Sequence, residues 1–154
     1  MAHFAEIKQK TDKFDSSKQN WVVERVIVVG NDVSTAAGPL GDNDMHVDGE
    51  TWCQNFFKGG TWKQTSYNNN FRKQYAGKGY TFDAAKNKFI SPQPFASWAL
   101  DGSDDWQAPV TYPTDTTDKN ITWDEENLRW TATDDSDPVN NFNWDASALA
   151  WVSA

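Results

Sequence analysis

The chain has little of what enzymes usually work with. Its 154 residues include one cysteine, Cys53, and two histidines, His3 and His46. A lone cysteine forms no intrachain disulfide, and with two distant histidines it cannot supply the four ligands of a structural zinc site. Basic residues are outnumbered, 14 Lys and Arg against 22 Asp and Glu, giving a net charge of −8. Nucleic acid and anionic membranes both call for a basic face, so neither is an expected partner, despite the short basic stretch at Arg72 and Lys73. No apolar run approaches the roughly eighteen residues of a membrane span. The opening Met1-Ala2-His3-Phe4-Ala5-Glu6 lacks the basic region and apolar run of a signal peptide. No membrane insertion is expected, and folding in a reducing cytosol is compatible with the cysteine count.

Apolar residues are also scarce, at 38%, yet 14% of the chain is aromatic and nine residues are Trp. The core must therefore be built mainly from rings, each of which removes about 150–250 Å² from water when buried. The acidic balance keeps such an aromatic-rich chain in solution.

An eight-residue pattern organises these rings: aromatic, Asp, five free positions, aromatic. It occurs as Phe14-Asp15 to Trp21, Phe82-Asp83 to Phe89, Trp123-Asp124 to Trp130 and Trp144-Asp145 to Trp151. Trp98 to Trp106, with Asp101 and Asp104 between, is a looser fifth version. If the two rings face each other across an antiparallel pair, the residues between them close a hairpin built on a type I turn. The Asp would accept bonds from the turn backbone, and Asn20, Asn87 and Asn127 tolerate left-handed geometry near the return. Asp83 with Lys88 and Asp124 with Arg129 would place opposite charges across two of the ladders.

Elsewhere, Val22 to Val29 is β-branched almost throughout and ends at Gly30-Asn31-Asp32, which reads as a strand and turn returning on Phe4 to Ile7. Ser34 to Gly49 reads as a polar loop. Gly49 to Phe57 is the helix candidate, with Trp52, Cys53, Phe56 and Phe57 on one face, Asp48 as N-cap and Gly59-Gly60 as the stop. Thr61 to Tyr67 reads as a strand. The expected fold is mainly β with one short helix: an α+β module over residues 1–95, then a tail of aromatic-anchored β-hairpins over 96–154.

Several runs carry a resemblance. Trp52-Cys53 with Phe56-Phe57, Thr61-Trp62-Lys63-Gln64-Thr65-Ser66-Tyr67-Asn68 and Asn70-Phe71-Arg72-Lys73-Gln74-Tyr75-Ala76 are among them, as are Gly79 to Asp83, Phe89 to Phe95 and Tyr112-Pro113-Thr114. Together they resemble a family of small proteins encoded by tailed marine cyanophages, over most of the chain. The resemblance implies an uncharacterised or virion-associated protein and transfers no catalytic residue. Two departures lie in projections: Lys8 to Asn20 lengthens the first hairpin, and Phe142 to Val152 is an extra hairpin at the end.

The residues themselves offer little chemistry. His46 with Cys53 is a conceivable dyad, but no oxyanion or elbow sequence accompanies it. The runs Lys58-Gly59-Gly60 and Gly77-Lys78-Gly79 are not phosphate loops. A glycosidase needs two carboxyls fixed at a set distance, whereas Asp here sits in turns. Asp42-Asn43-Asp44 with Asp48 and Glu50 offers oxygens for calcium, but an EF-hand reading puts Val47 where glycine is needed. Asp101 to Asp105 and Asp134 to Asp137 offer similar oxygens but read as turns. No enzyme activity, cofactor or metal is expected.

The sequence is compatible with two functions. The first is a structural or accessory virion protein, made in the host cytoplasm and located in the particle. As a capsid decoration, tail or fibre-associated subunit it would contact other virion proteins, or further copies of itself. The second is a host-surface glycan binder whose Trp123, Trp130, Trp144 and Trp151 stack on sugars. The alternative for those four rings is that they pack on each other, and exposure discriminates.

Overall fold

The computed structural model describes residues 1–41 and 47–154. It is mainly β with one short helix, in two compact units, Met1–Pro92 and Gln93–Ala154. The boundary falls three residues before the expected one. Gln93 belongs with the tail because its side-chain amide donates to the carbonyls of Ala96 and Trp98, and Phe95 packs against Trp98.

In the first unit the strands are β1 (Ala2–Thr11), β2 (Gln19–Val29), β3 (Ser34–Thr35), β4 (Gly38–Pro39), β5 (Thr61–Thr65), β6 (Thr81–Asp83) and β7 (Lys88–Ile90), with helix α1 (Val47–Phe56) before β5. Five of them form one sheet in the order β5-β1-β2-β6-β7, and β3 pairs with β4 in a small separate ribbon. The Val-rich β2 explains how so small a unit builds two cores. A register shift between Glu6 and Ile7, which pair with Arg25 and Val23, skips Glu24 in the ladder, and such a bulge re-phases the strand. Ile27 and Val29 then join Ala2, Phe4, Leu40, Cys53 and Trp62 on one face. Val23 and Val26 join Ala5, Ile7, Ala76, Phe82 and Phe89 on the other.

α1 covers the first of these faces. Its end is set by a left-handed Lys58 (φ 57°), with Gly59 N–H donating to Gln54 and Lys58 N–H to Asn55, the bond pattern of a Schellman stop. Asp48 lies inside the first turn instead of capping it. The four residues expected on one face are split: Cys53 is fully buried, Trp52 and Phe57 are half-buried, and Phe56 is 63% exposed, stacked along Trp52. Gly49 is what lets the helix sit down. A Cβ there would lie 2.4 Å from the Phe4 ring and 2.9 Å from Leu40, both buried. Gly49→Ala is therefore expected to lower stability by about 1–3 kcal/mol through overpacking, against the gain Ala brings to an exposed helix. A urea melt of the variant checks the sign.

The sheet's two outer strands are tied to one short segment. The Arg72 guanidinium donates to Glu50 (2.7 Å), to the Gln64 carbonyl on β5 (2.9 Å) and to Asn87 (2.9 Å), while Gln64 N–H donates to the same Glu50 oxygen. On β7, Phe89 N–H donates to the Arg72 carbonyl and the Phe89 carbonyl accepts from the Gln74 amide. The sheet is thus curled until its edges meet at Arg72, and the backbone groups of Gln64 and Phe89 that would otherwise face outward are satisfied. The basic stretch seen in the sequence is, at Arg72, an interior tie.

The tail holds β8 (Ala99–Leu100), β9 (Trp106–Gln107), β10 (Asn120–Asp124), β11 (Arg129–Thr133), β12 (Asn141–Asp145) and β13 (Ala150–Ser153). β8 and β9 pair alone, and β10 to β13 form an up-and-down sheet in sequence order. Three of the expected ring pairs face each other in register: Phe82 with Phe89, Trp123 with Trp130, and Trp144 with Trp151. Two do not. Trp21 lies opposite Gln9 and Phe82, leaving Phe14 at an exposed loop, and Trp106 faces Leu100 instead of Trp98.

Candidate functional site

The tail sheet is where the sequence places its candidate residues, and the hairpin geometry explains their positions. In each of the three true copies the Asp after the first ring accepts turn N–H groups: Asp83 from Lys86, Asp124 from Asn127, and Asp145 from Ser147 and Ala148. The left-handed residue is always the sixth of the repeat, Asn87, Leu128 and Leu149, with φ of 52°, 50° and 52°. Asn127, expected to hold that geometry, sits one place earlier and bonds Asp124 through its side chain; Asn20 lies within β2. A leucine in this region is strained by about 1–2 kcal/mol, and both leucines are exposed. Leu128→Asn and Leu149→Asn, which copy the residue that Asn87 supplies in the first hairpin, each relieve part of that strain and are expected to raise tail stability by about 0.5–1 kcal/mol, seen as a higher urea midpoint with unchanged slope.

The four tryptophans are brought together, but as a core. Trp123, Trp130 and Trp144 are only 8%, 7% and 7% exposed, with Trp151 half-buried beside them. Ring centroids are 5.0 Å apart for Trp123 and Trp130 and 5.1 Å for Trp144 and Trp151, in tilted edge-to-face contact. Their polar edges hold the chain that crosses the sheet. Trp130 Nε1 donates to the Val110 carbonyl, Trp151 Nε1 to that of Asp115, and Trp123 Nε1 to Glu125, whose carboxylate also accepts from Ser97. Those bonds from Ser97 and Trp123 hold the Glu125 carboxyl below its ordinary range. The solvent-facing stacking surface that the glycan reading needs is not formed by Trp123, Trp130 or Trp144. Trp98, outside the expected set, completes the cluster edge-on to Trp123 and Trp130.

The opposite face of this sheet is uncharged across its middle. Thr122, Thr131, Asn143 and Val152 share one cross-strand row, with the two threonine hydroxyls 3.1 Å apart.

What distinguishes the sheet is its outer strands. On β10 Trp123 is covered. On β13 Ala150, Val152 and Ser153 are exposed, and the strand carries neither charge nor proline. Natural edges are commonly blunted by such residues. The tail as a whole is strongly acidic: it holds twelve Asp and Glu against two basic residues, Lys119 and Arg129, whereas the first unit has ten against twelve.

The remaining candidates resolve into structural roles or fall outside the described residues. Cys53 is fully buried, and burial, with the Glu50 charge adding to it, pushes its thiol up to about 12, which keeps it from acting as a nucleophile. His46 and the Asp42-Asn43-Asp44 run lie outside the described residues. His3 stacks on Tyr67 and meets Tyr75 edge-on, and burial lowers its pKa. Asp101 accepts from the backbone of Ser103 and Asp105. Asp134 accepts from the side chain and backbone of Asn140 and, more weakly, from Ser136, bonds that hold its carboxyl down to about 2. Among the described residues no group of three or more His, Cys, Asp or Glu is placed to hold a metal, and no helix is long and apolar enough to cross a membrane. In comparisons with known proteins, the chain matches no protein family, no curated protein and no solved structure.

Proposed function

We propose that the chain is a non-enzymatic accessory subunit of a phage particle, a capsid decoration, tail or fibre-associated protein acting through protein–protein contacts. The observation that carries this reading is the contrast between the two sheets. In the first unit the outer strands are tied down through Arg72, Glu50 and Gln74. In the tail the β13 edge is exposed, uncharged and β-prone, the type of edge onto which another chain adds. The tryptophans hold that edge in place and leave it for a partner. The sequence resemblance to cyanophage proteins supplies the setting.

The test is composition of the particle. Gradient-purified particles of the phage that encodes the chain are expected to contain it at a fixed copy number by quantitative mass spectrometry. Its presence in infected-cell lysate together with its absence from purified particles would sink the reading.

A further inference from the structure

We infer that the free edge of β13 takes an extended segment of a basic partner protein, which adds as a fifth strand to the tail sheet. The inference rests on the accessory-subunit reading and specifies the chemistry of its partner. The ladder tells which atoms do the pairing. Ala154 N–H donates to the Asn141 carbonyl. In an antiparallel pair, bonded and non-bonded positions alternate, so with Val152 opposite Asn143 and Ala150 opposite Asp145 those residues bond inward to β12. Trp151 and Ser153 are the alternate positions, and their N–H and C=O groups point away from the sheet. Among the described residues nothing pairs with them.

Charge decides the occupant. A second copy added at this edge would bring together two tails that each carry twelve acidic and two basic residues, and like charge opposes that approach. Asp145 lies one strand in from the edge, on the same face as Ala150 and Val152, and Asp134, Asp135 and Asp137 occupy the β11–β12 loop. A strand with Lys or Arg on its solvent side is drawn to this surface. On the other face an apolar side chain would lie beside Trp151. The segment that fits therefore alternates basic and β-branched residues.

The experiment is a titration of the full-length, 15N-labelled chain at low ionic strength with a synthetic alternating Lys-Val peptide, and in parallel with an alternating Glu-Val peptide. The basic peptide is expected to shift the amide signals of Trp151 and Ser153 and slow their hydrogen exchange by about tenfold or more, while the acidic peptide leaves them unmoved. Ser153→Pro removes one outward donor and spares the bonds to β12. It is expected to melt as the parent does and to lose the response. Equal response to both peptides, or no response at Trp151 and Ser153 to either, would overturn the inference. So would protection of these amides that rises with protein concentration alone, because a second copy would then be the occupant. Incorporation into particles without the peptide response would leave the accessory reading standing and remove only this account of its partner.

Discussion

Arg72→Ala is expected to lower the stability of the Met1–Pro92 unit by about 3–5 kcal/mol, the usual cost of stranding one member of a buried ion pair. The Arg72 side chain is 8% exposed and that of Glu50 15%, so removing the guanidinium leaves the carboxylate nearly dry, with Lys63 Nζ 3.9 Å from its other oxygen. The loss goes further than one pair. The Gln64 carbonyl and the Asn87 side chain lose their donor together. The backbone at Arg72 and Lys73, held at φ 53° and 72° in a strained region, loses its side-chain anchors to Glu50, Gln64 and Asn87 and keeps the bonds that the Arg72 carbonyl accepts from Gln74 and Phe89. Arg72→Lys keeps the charge but has no fork with which to reach three acceptors, and is expected to recover only part of the loss. Cys53 supplies a readout specific to this unit: its buried thiol should react with a thiol reagent at a rate set by opening, far faster in Arg72→Ala than in the parent. A melt within about 1 kcal/mol of the parent would show that the edges close without this tie.

How much of this is legible in the sequence depends on how far apart the partners lie. The ring pairs at 82 and 89, 123 and 130, and 144 and 151 can be read because a hairpin is local and the pattern contains its own turn. The ring pairing fails at Phe14 and Trp21, although Asp15 accepts the Ser17 N–H as the pattern expects, because Asp12 ties the two strands together before Phe14: its carboxylate accepts from Phe14 and Asp15 and from the Asn20 side chain, and Asp12 N–H donates to the Lys18 carbonyl. The strands run on to Thr11 and Gln19, so Trp21 lies well inside β2. Residue type alone assigns the left-handed slot to Asn127, whereas the turn counts from the first ring and places Leu128 there. Arg72 reads as part of a basic stretch because its partner Glu50 is 22 residues away and no local spacing announces the pair. The four tail tryptophans stand out as a group, but the acceptors that turn them inward, the carbonyls of Val110 and Asp115, are backbone atoms and leave no mark in side-chain identity.

Trp130→Ala is expected to unfold the tail outright while the first unit stays folded. Truncating a buried Trp costs about 3–5 kcal/mol, and a unit of 62 residues with one core seldom has more than about 3–5 kcal/mol in total. Trp130 is the residue on which that core converges. Its ring meets Trp123, Trp98 and Tyr112 at centroid distances of 5.0, 5.9 and 4.9 Å, and its indole N–H holds the Val110 carbonyl. In an amide NMR spectrum the resonances of β10 to β13 should collapse to the unfolded region, with those of β1 to β7 in place. Trp130→Phe keeps a ring and loses the bond to Val110, so it should cost less and leave the tail folded. The comparison with Ser153→Pro separates scaffold from edge. The proline variant keeps the tryptophan core and closes the β13 edge, whereas Trp130→Ala loses both, so a partner that needs the edge should fail with each while only one of them melts. Tail resonances that survive Trp130→Ala would mean the hairpins stand on their own turns, and the aromatic core would no longer explain how β13 is presented.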